Sequence, residues 1–526
     1  MKKNRSFFLT GIIILFYIML GAVLIQHSYS YLDPDLGWHL ETGKEILASR
    51  ALPGPNHNDY TLAGQPWVDH EWLANAGLYW LYSRFGYVPI SLIFVGIILL
   101  AVFLLNRGLN WRRLGDSGRL LIMAFEFFAI VAMSPHLGVR LQEISILGLL
   151  LAILIFQKYQ EKKDWKILLW WLPLFWLWAC LHAGFLIGLA AIFIILGTRV
   201  AVSGVKREQW QLLGGGLGAV LATGLTPYGL RLYGFLGSYG NSFYMDHIQE
   251  WLPQWDFPYN YWQIAYLCLP ILVIIFSLNY ARRHPELRLK PEALVLMVIF
   301  WFLAIKSRRH LPLLVVVSWP IILAFLINFF DLEKNHKTAG FARDLPLLFM
   351  RFSLIFSLFS IAVLCLVQTH YYRDPFAVAD KYQYPVAAIN YLKSHPEYDN
   401  SKLLNDFGWG GFLIWTYPTR QLFIDGRLPQ YPYAGHSLLE EYWGFFQDKT
   451  VGAQLIKYQI SLVMMKPDPT EPVKLNWFEK YVLLINENEM NKNNQSSPLF
   501  DYLNARPNEW EIIYSDADAV IYSRQP

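Results

Sequence analysis

The chain has 526 residues and a formal net charge of +4, with 55% hydrophobic and only 16% charged residues. Soluble domains carry about 25% charged residues, so the composition excludes an ordinary soluble protein, and the small net charge argues against a nucleic-acid partner. The chain reads as an integral membrane protein, with 21 Trp available for membrane–water interfaces.

The first apolar run, Phe7 to Ile25, follows the basic residues Lys2, Lys3 and Arg5. It is as long as a bilayer span and no A-x-A-like site follows, so it reads as a retained anchor with a cytoplasmic N-terminus rather than a cleaved signal peptide. After a polar loop (27–85), apolar runs recur near 86–106, 118–134, 142–157, 166–181, 184–200, 211–225, 262–280, 292–306, 311–330 and 349–368. That predicts about eleven transmembrane helices. Lys and Arg gather in the connections after even-numbered spans: Arg107 to Arg119, Lys158 to Lys166, Arg199 to Arg207, Arg282 to Lys290 and Lys334 to Arg343. By the positive-inside rule these are cytoplasmic. The first loop, the 226–261 connection and the C-terminal region are then extracytoplasmic. Cys180, Cys268 and Cys365 lie in or beside apolar runs without ligand spacing and read as buried small residues.

From about residue 370 the apolar runs shorten. LLNDFGWGGFLIW, RQLFIDGR, LVMMK, YVLLI and VIYS read as strands bounded by turn residues. Pro385 to Ser394 and Ser437 to Phe446 read as helices, and the polar stretch Asn486 to Ser497 as a loop. The predicted fold class is therefore an α-helical polytopic membrane protein, residues 1–369, carrying a soluble α/β domain, residues 370–526.

The candidate chemistry begins in the first loop. In Asp33-Pro34-Asp35 the proline favours an extended chain, which turns residues two apart to one side. The two carboxylates can therefore converge, and an amphipathic surface helix is expected from Asp35 with His39 one turn on. The bland reading is a helix cap beside a solvated carboxylate. A second cluster, Asp69, His70 and Glu71 between two tryptophans, favours a shared polar site. Asp69 can cap a helix there, and the Asp, Glu and His donors can hold a divalent cation, Mg or Mn, although their spacing matches no metal motif. His136, Arg140 and Glu143 flank another short connection. His182 lies between two spans, and Lys306, Arg308, Arg309 and His310 fill a tight turn on the side where positive charge is otherwise sparse. Ionisable groups at membrane depth are costly and mark function by default; here an anionic ligand explains the exception better than snorkelling. A base for a hydroxyl and cations for a phosphate are the two needs of glycosyl transfer from a lipid-phosphate sugar.

The segments DPDLGWHLETG, PWVDHEWL, LHAGF, TPYGLRLY, QEWLP, RRHLPLL, NDFGWGGFLIW and FIDGR resemble a set of uncharacterised bacterial multispan proteins. More broadly, the chain resembles membrane glycosyltransferases of the GT-C superfold. The resemblance implies an inverting enzyme that moves a hexosyl or pentosyl group from a polyprenyl-phosphate donor to a glycan, lipid or protein acceptor in the bacterial cell envelope. It implies Asp35 or Asp33 as catalytic base, Asp35 being favoured by the helix start. Arg308, Arg309, His310 and His182 would hold the donor phosphate, and His39, Asp69, His70 and Glu71 would form the acceptor or cation side. Trp409, Asp425 and Arg427 are candidate sugar contacts, although the glycines around them read as structural. The W-W-D motif of oligosaccharyltransferases is absent, so asparagine glycosylation is not expected. The competing readings are a lipid-linked glycan transporter or flippase and a non-catalytic envelope assembly protein. Internal repeats and broken helices would mark a transporter, and neither is evident.

Overall fold

The computed structural model describes residues 2–107, 116–240, 243–256, 261–280, 288–335, 373–433, 435–468, 474–475, 480–481, 487–491 and 496–525. Helix α1 (Lys2–Ser28) is followed by two helices of the first loop, α2 (Leu36–Ser49) and α3 (Trp72–Phe85). A bundle follows, made of α4 (Tyr87–Asn106), α5 (Asp116–Met133), α6 (Gln142–Lys162), α7 (Trp171–Leu181), α8 (Phe185–Ser203) and α9 (Arg207–Thr223). Two short helices, α10 (Arg231–Gly237) and α11 (Phe243–His247), precede α12 (Tyr261–Tyr280), α13 (Pro291–Lys306) and α14 (Leu311–Asn335).

Each of the predicted apolar runs from residue 7 to 330 coincides with a helix; the run at 349–368 lies outside the described residues. Against about eleven expected spans, seven helices among the described residues are each long and apolar enough to cross a membrane. Helix α13 has 16 residues, about 24 Å at 1.5 Å per residue, against a hydrocarbon core of roughly 30 Å. The bundle core is aromatic and aliphatic, with Trp171, Trp319, Tyr266, Phe175 and Phe300 buried. Cys180 is buried as expected, whereas Cys268 lies on an exposed face of α12.

The C-terminal region has a four-stranded sheet ordered β1-β4-β6-β5 (β1 Leu403–Asn405, β4 Leu462–Met465, β5 Trp510–Ser515, β6 Val520–Arg524). Strand β1 runs parallel to β4, and the other pairs are antiparallel. A small ribbon, β2 (Pro432–Tyr433) and β3 (His436–Ser437), stands apart. LVMM and VIYS are strands as predicted, but GGFLIWT is a helix, Gly410–Thr416. RQLFIDGR is no sheet strand; it runs beside the first loop through a bridge between Asp59 and Leu422. YVLLI falls mostly outside the described residues.

The first loop does not stand as an appendage of the bundle. Residues 29–94 and 379–522 contribute to one hydrophobic core. Helix α2 was expected along the membrane surface; its face from Leu36 to Gly43 is instead buried in protein. Glycines make this packing possible: a β-carbon on Gly37 would collide with the Gly411 carbonyl, and one on Gly43 with the Asn75 carbonyl. The backbones of α2, α3 and helix 410–416 therefore touch where any side chain would part them.

Candidate active site

The Asp33–Asp35 segment is clamped from two sides. Tyr31 Oη donates to Leu137 O at 2.9 Å, and Tyr384 Oη donates to Leu32 O at 3.0 Å. Asp33 Oδ1 accepts the Asp35 backbone N–H at 3.0 Å, a local turn that competes with extended chain. Asp35 is consequently helical (φ −89°, ψ −18°) and sits at the α2 N-cap without a capping hydrogen bond. Its Oδ1 accepts the Trp38 indole N–H at 2.9 Å. Among the described residues Asp35 Oδ2 has no protein donor, whereas Asp33 Oδ2 lies 2.7 Å from Arg140 Nε. Burial pushes the Asp33 carboxyl up to about 6 although Arg140 pulls it down. Burial also raises Asp35, with the Trp38 N–H opposing.

Arg140, in the α5–α6 connection, also pairs with Glu250 Oε1, and the other Glu250 oxygen accepts from Arg309 Nη1 at 2.9 Å. Burial alone would raise Glu250, but the two guanidiniums outweigh it and hold it down at about 2. Backbone pairing fixes this junction: Arg309 N–H donates to Glu250 O at 3.2 Å and Arg308 N–H to Leu252 O at 3.1 Å. Arg309 also lies over the Trp251 ring at 5.0 Å.

Glu71 is the centre of the second cluster. His70 Nε2 is 3.6 Å and His182 Nε2 3.7 Å from Glu71 Oε1, and His39 Nδ1 is 4.0 Å from Oε2. Burial, then Asp69 and Asp35, raises Glu71 well above the usual range. Burial lowers His39 and His70 to about 4 and holds His182 well below the usual imidazole range, which favours neutral rings at pH 7. Asp69 is also raised by burial, to about 7. Asp69 accepts both 2.9 Å bonds of the Asn75 amide, whose oxygen is 2.6 Å from His39 Nδ1. With the amide so oriented, His39 carries its proton on Nδ1. His182 Nδ1 accepts from Gly184 N–H at 3.0 Å and from Ser145 Oγ at 2.7 Å, so its proton is on Nε2, toward Glu71. The expected Asp69 cap is corrected: α3 starts at Trp72, with Glu71 at the N-cap position.

The Arg309 charge acts on Asp35, Glu71, His70 and His182. The two loop clusters and the basic turn are thus one electrostatic site. His182 groups with Glu71 rather than with the basic triplet, and His310 packs edge-on against Trp251. The candidate sugar contacts are corrected. Trp409 is 1% exposed and donates its indole N–H to Gln383 O at 3.2 Å, so it has no open ring face. Arg427 Nε pairs with Asp425 at 3.0 and 3.1 Å, its Nη2 donates to Asn56 Oδ1 at 3.0 Å, and it covers the Trp67 ring at 4.8 Å. This buried pair ties the FIDGR loop to the first loop and sets Gly426 against Asp35, where a β-carbon would collide with Oδ1. Arg140 was visible in sequence only as a charge at a span end, Glu250 as a lone carboxylate among aromatics. Asn75 and Ser145 carried no signal.

The His39 and His182 rings are not poised to hold a divalent cation. Among the described residues no group of three or more His, Cys, Asp and Glu is arranged to hold a metal. The His39 and His182 nitrogens that face Glu71 carry protons rather than lone pairs, whereas a metal needs the lone pair.

No family model and no curated protein matches the chain. Among solved structures, the Archaeoglobus fulgidus oligosaccharyltransferase in its apo form aligns with TM-score 0.48 and 11% identity, over 86% of this chain and 69% of that one. The same organism's AglB, in complex with an inhibitory peptide and a dolichol-phosphate, aligns with TM-score 0.49 and 11% identity over 99% and 74%. ArnT from Cupriavidus metallidurans bound to undecaprenyl phosphate aligns with TM-score 0.45 and 14% identity over 98% of each chain.

Proposed function

We propose that the chain is a GT-C-type membrane glycosyltransferase that moves a hexosyl or pentosyl group from a polyprenyl-phosphate donor to an extracytoplasmic acceptor, with inversion. The observation that carries this reading is the juxtaposition of an available carboxylate oxygen on Asp35 with a two-arginine anion seat, Arg140 and Arg309, at one end of an apolar helix bundle. Asp35 Oδ2 takes the proton of the acceptor hydroxyl as the hydroxyl oxygen bonds to the anomeric carbon. The bond from that carbon to the phosphate oxygen breaks, and the polyprenyl phosphate leaves with the electron pair. Arg309 and Arg140 stabilise the charge that grows on the leaving phosphate. The Asp33–Arg140 pair holds Asp35 in place, and the neutral His39, His70 and His182 around Glu71 line the acceptor side with hydrogen-bonding groups. In this reading the site and the C-terminal domain lie on the extracytoplasmic side of a bacterial cytoplasmic membrane, and the N-terminus is cytoplasmic.

The test is sugar transfer by purified protein in lipid, with a panel of polyprenyl-phosphate sugars and the Asp35→Asn variant. Transfer lost in the variant supports the reading. Transfer that persists moves the base away from Asp35. No transfer or donor hydrolysis by the wild type across the panel and a set of glycan, lipid and protein acceptors overturns it.

A further inference from the structure

The Glu250 carboxylate bridges two guanidiniums that come from different connections of the bundle, one oxygen to Arg140 and the other to Arg309. A phosphate group would make the same two-point contact. The backbone of Glu250 is pinned independently of its side chain, by Arg309 N–H at 3.2 Å and by Ser307 Oγ at 3.2 Å on the Glu250 carbonyl. The side chain can therefore leave without the loop unravelling. It is also reachable: the Glu250 and Arg309 side chains are each 26% exposed, in contrast to the sealed Arg427–Asp425 pair at 2% and 0%. We propose that Glu250 is a built-in counter-ion occupying the phosphate seat of the empty site, displaced by the incoming lipid phosphate and returning when that phosphate leaves.

This rests on the lipid-phosphate reading of the two-arginine seat. Exchange of a carboxylate for a sugar phosphodiester replaces one negative charge by one. The pair Arg140 and Arg309 is thus never left unneutralised in a partly buried place, where unpaired charge is costly. The released phosphate monoester carries about −1.5 to −2, as phosphate esters do near neutral pH. A returning carboxylate then repels it and competes for the same donors. Asp33 stays on Arg140 throughout, so the exchange does not free the base region.

The experiment measures binding of undecaprenyl phosphate to the full chain in nanodiscs by native mass spectrometry, for wild type, Glu250→Gln and Arg309→Ala. Undecaprenol and inorganic phosphate serve as controls that separate the lipid and phosphate contributions. The expected result is binding at least about tenfold tighter in Glu250→Gln than in wild type and weakened in Arg309→Ala; tenfold corresponds to about 1.4 kcal/mol. Equal or weaker binding in Glu250→Gln, with wild-type binding intact, overturns the counter-ion role and leaves the seat standing. Absence of binding to wild type and Glu250→Gln alike overturns the seat itself. A second measurement uses the unaltered protein: carbodiimide labelling of Glu250 rises on addition of undecaprenyl phosphate if the carboxylate is expelled, and unchanged or reduced labelling refutes the displacement.

Discussion

Asp33 Oδ2 lies 2.7 Å from Arg140 Nε, joining the first loop to the α5–α6 connection across 107 positions of sequence. Asp33 accepts the Asp35 N–H with its other oxygen, so both of its oxygens are engaged. Asp35 has an oxygen to spare, and the two carboxylates, separated by Pro34 alone, make different contacts.

Asp35→Asn is expected to reduce turnover by about 10²–10⁴, the usual contribution of a general base, with an unchanged melting temperature in detergent. The amide still accepts the Trp38 N–H, so folding has no reason to suffer. Turnover within threefold of wild type would remove Asp35 from the mechanism.

The pH dependence follows from burial. Asp33 is raised to about 6 and Asp35 is raised in the same direction, so activity should climb with pH along a limb displaced upward from the ordinary carboxyl range near 4. For stability the sign is opposite. A carboxyl whose folded pKa exceeds its unfolded value binds more protons when folded, and its contribution falls as pH rises from about 4 to about 6. Arg140→Gln removes a cation that lowers both Asp33 and Asp35, and should move the activity limb to higher pH. A limb that stays in place or moves down would refute this assignment.

Arg427→Ala leaves Asp425 buried without its partner. Removing one member of a buried pair costs about 3–5 kcal/mol, and the loss should appear as early proteolysis of the C-terminal domain in a limited-digestion series. Trp409 variants should act on stability in the same way. A donor KM raised tenfold in an Arg427 variant with wild-type melting would restore Arg427 as a sugar contact.

Gly411→Ala places a methyl group against the Pro34 carbonyl, within the Asp33–Asp35 turn. Overpacking costs about 1–3 kcal/mol, and here part of it should displace Asp35, lowering kcat more than substrate affinity. Equal kcat in the alanine variant would show that the two helices can part without disturbing the turn.

Removal of divalent cations by chelation should leave transfer unchanged, because the His39 and His182 nitrogens nearest Glu71 bear protons. Activity abolished by chelator and restored by Mn or Mg would require the opposite tautomer at His39, and would return Glu71 and His39 to the cation role that their composition suggested.

The sequence by itself determined the helices of the bundle, the two acidic clusters and the basic turn. These depend on local properties: apolar length against bilayer thickness, Lys and Arg asymmetry, and the density of ionisable groups in a short loop. Only the tertiary structure placed Arg140 and Glu250 beside Asp33 and Arg309, and buried Trp409, Asp425 and Arg427 in internal contacts. It also decided that the first loop shares its core with the C-terminal domain. Arg140 and Glu250 lie 110 positions apart and Asn56 and Arg427 371 apart, and composition carries no record of pairing at such separations. A buried ion pair and an open ligand contact use the same residue types, Asp, Arg and Trp. Burial distinguishes them, and burial is a property of the packed chain.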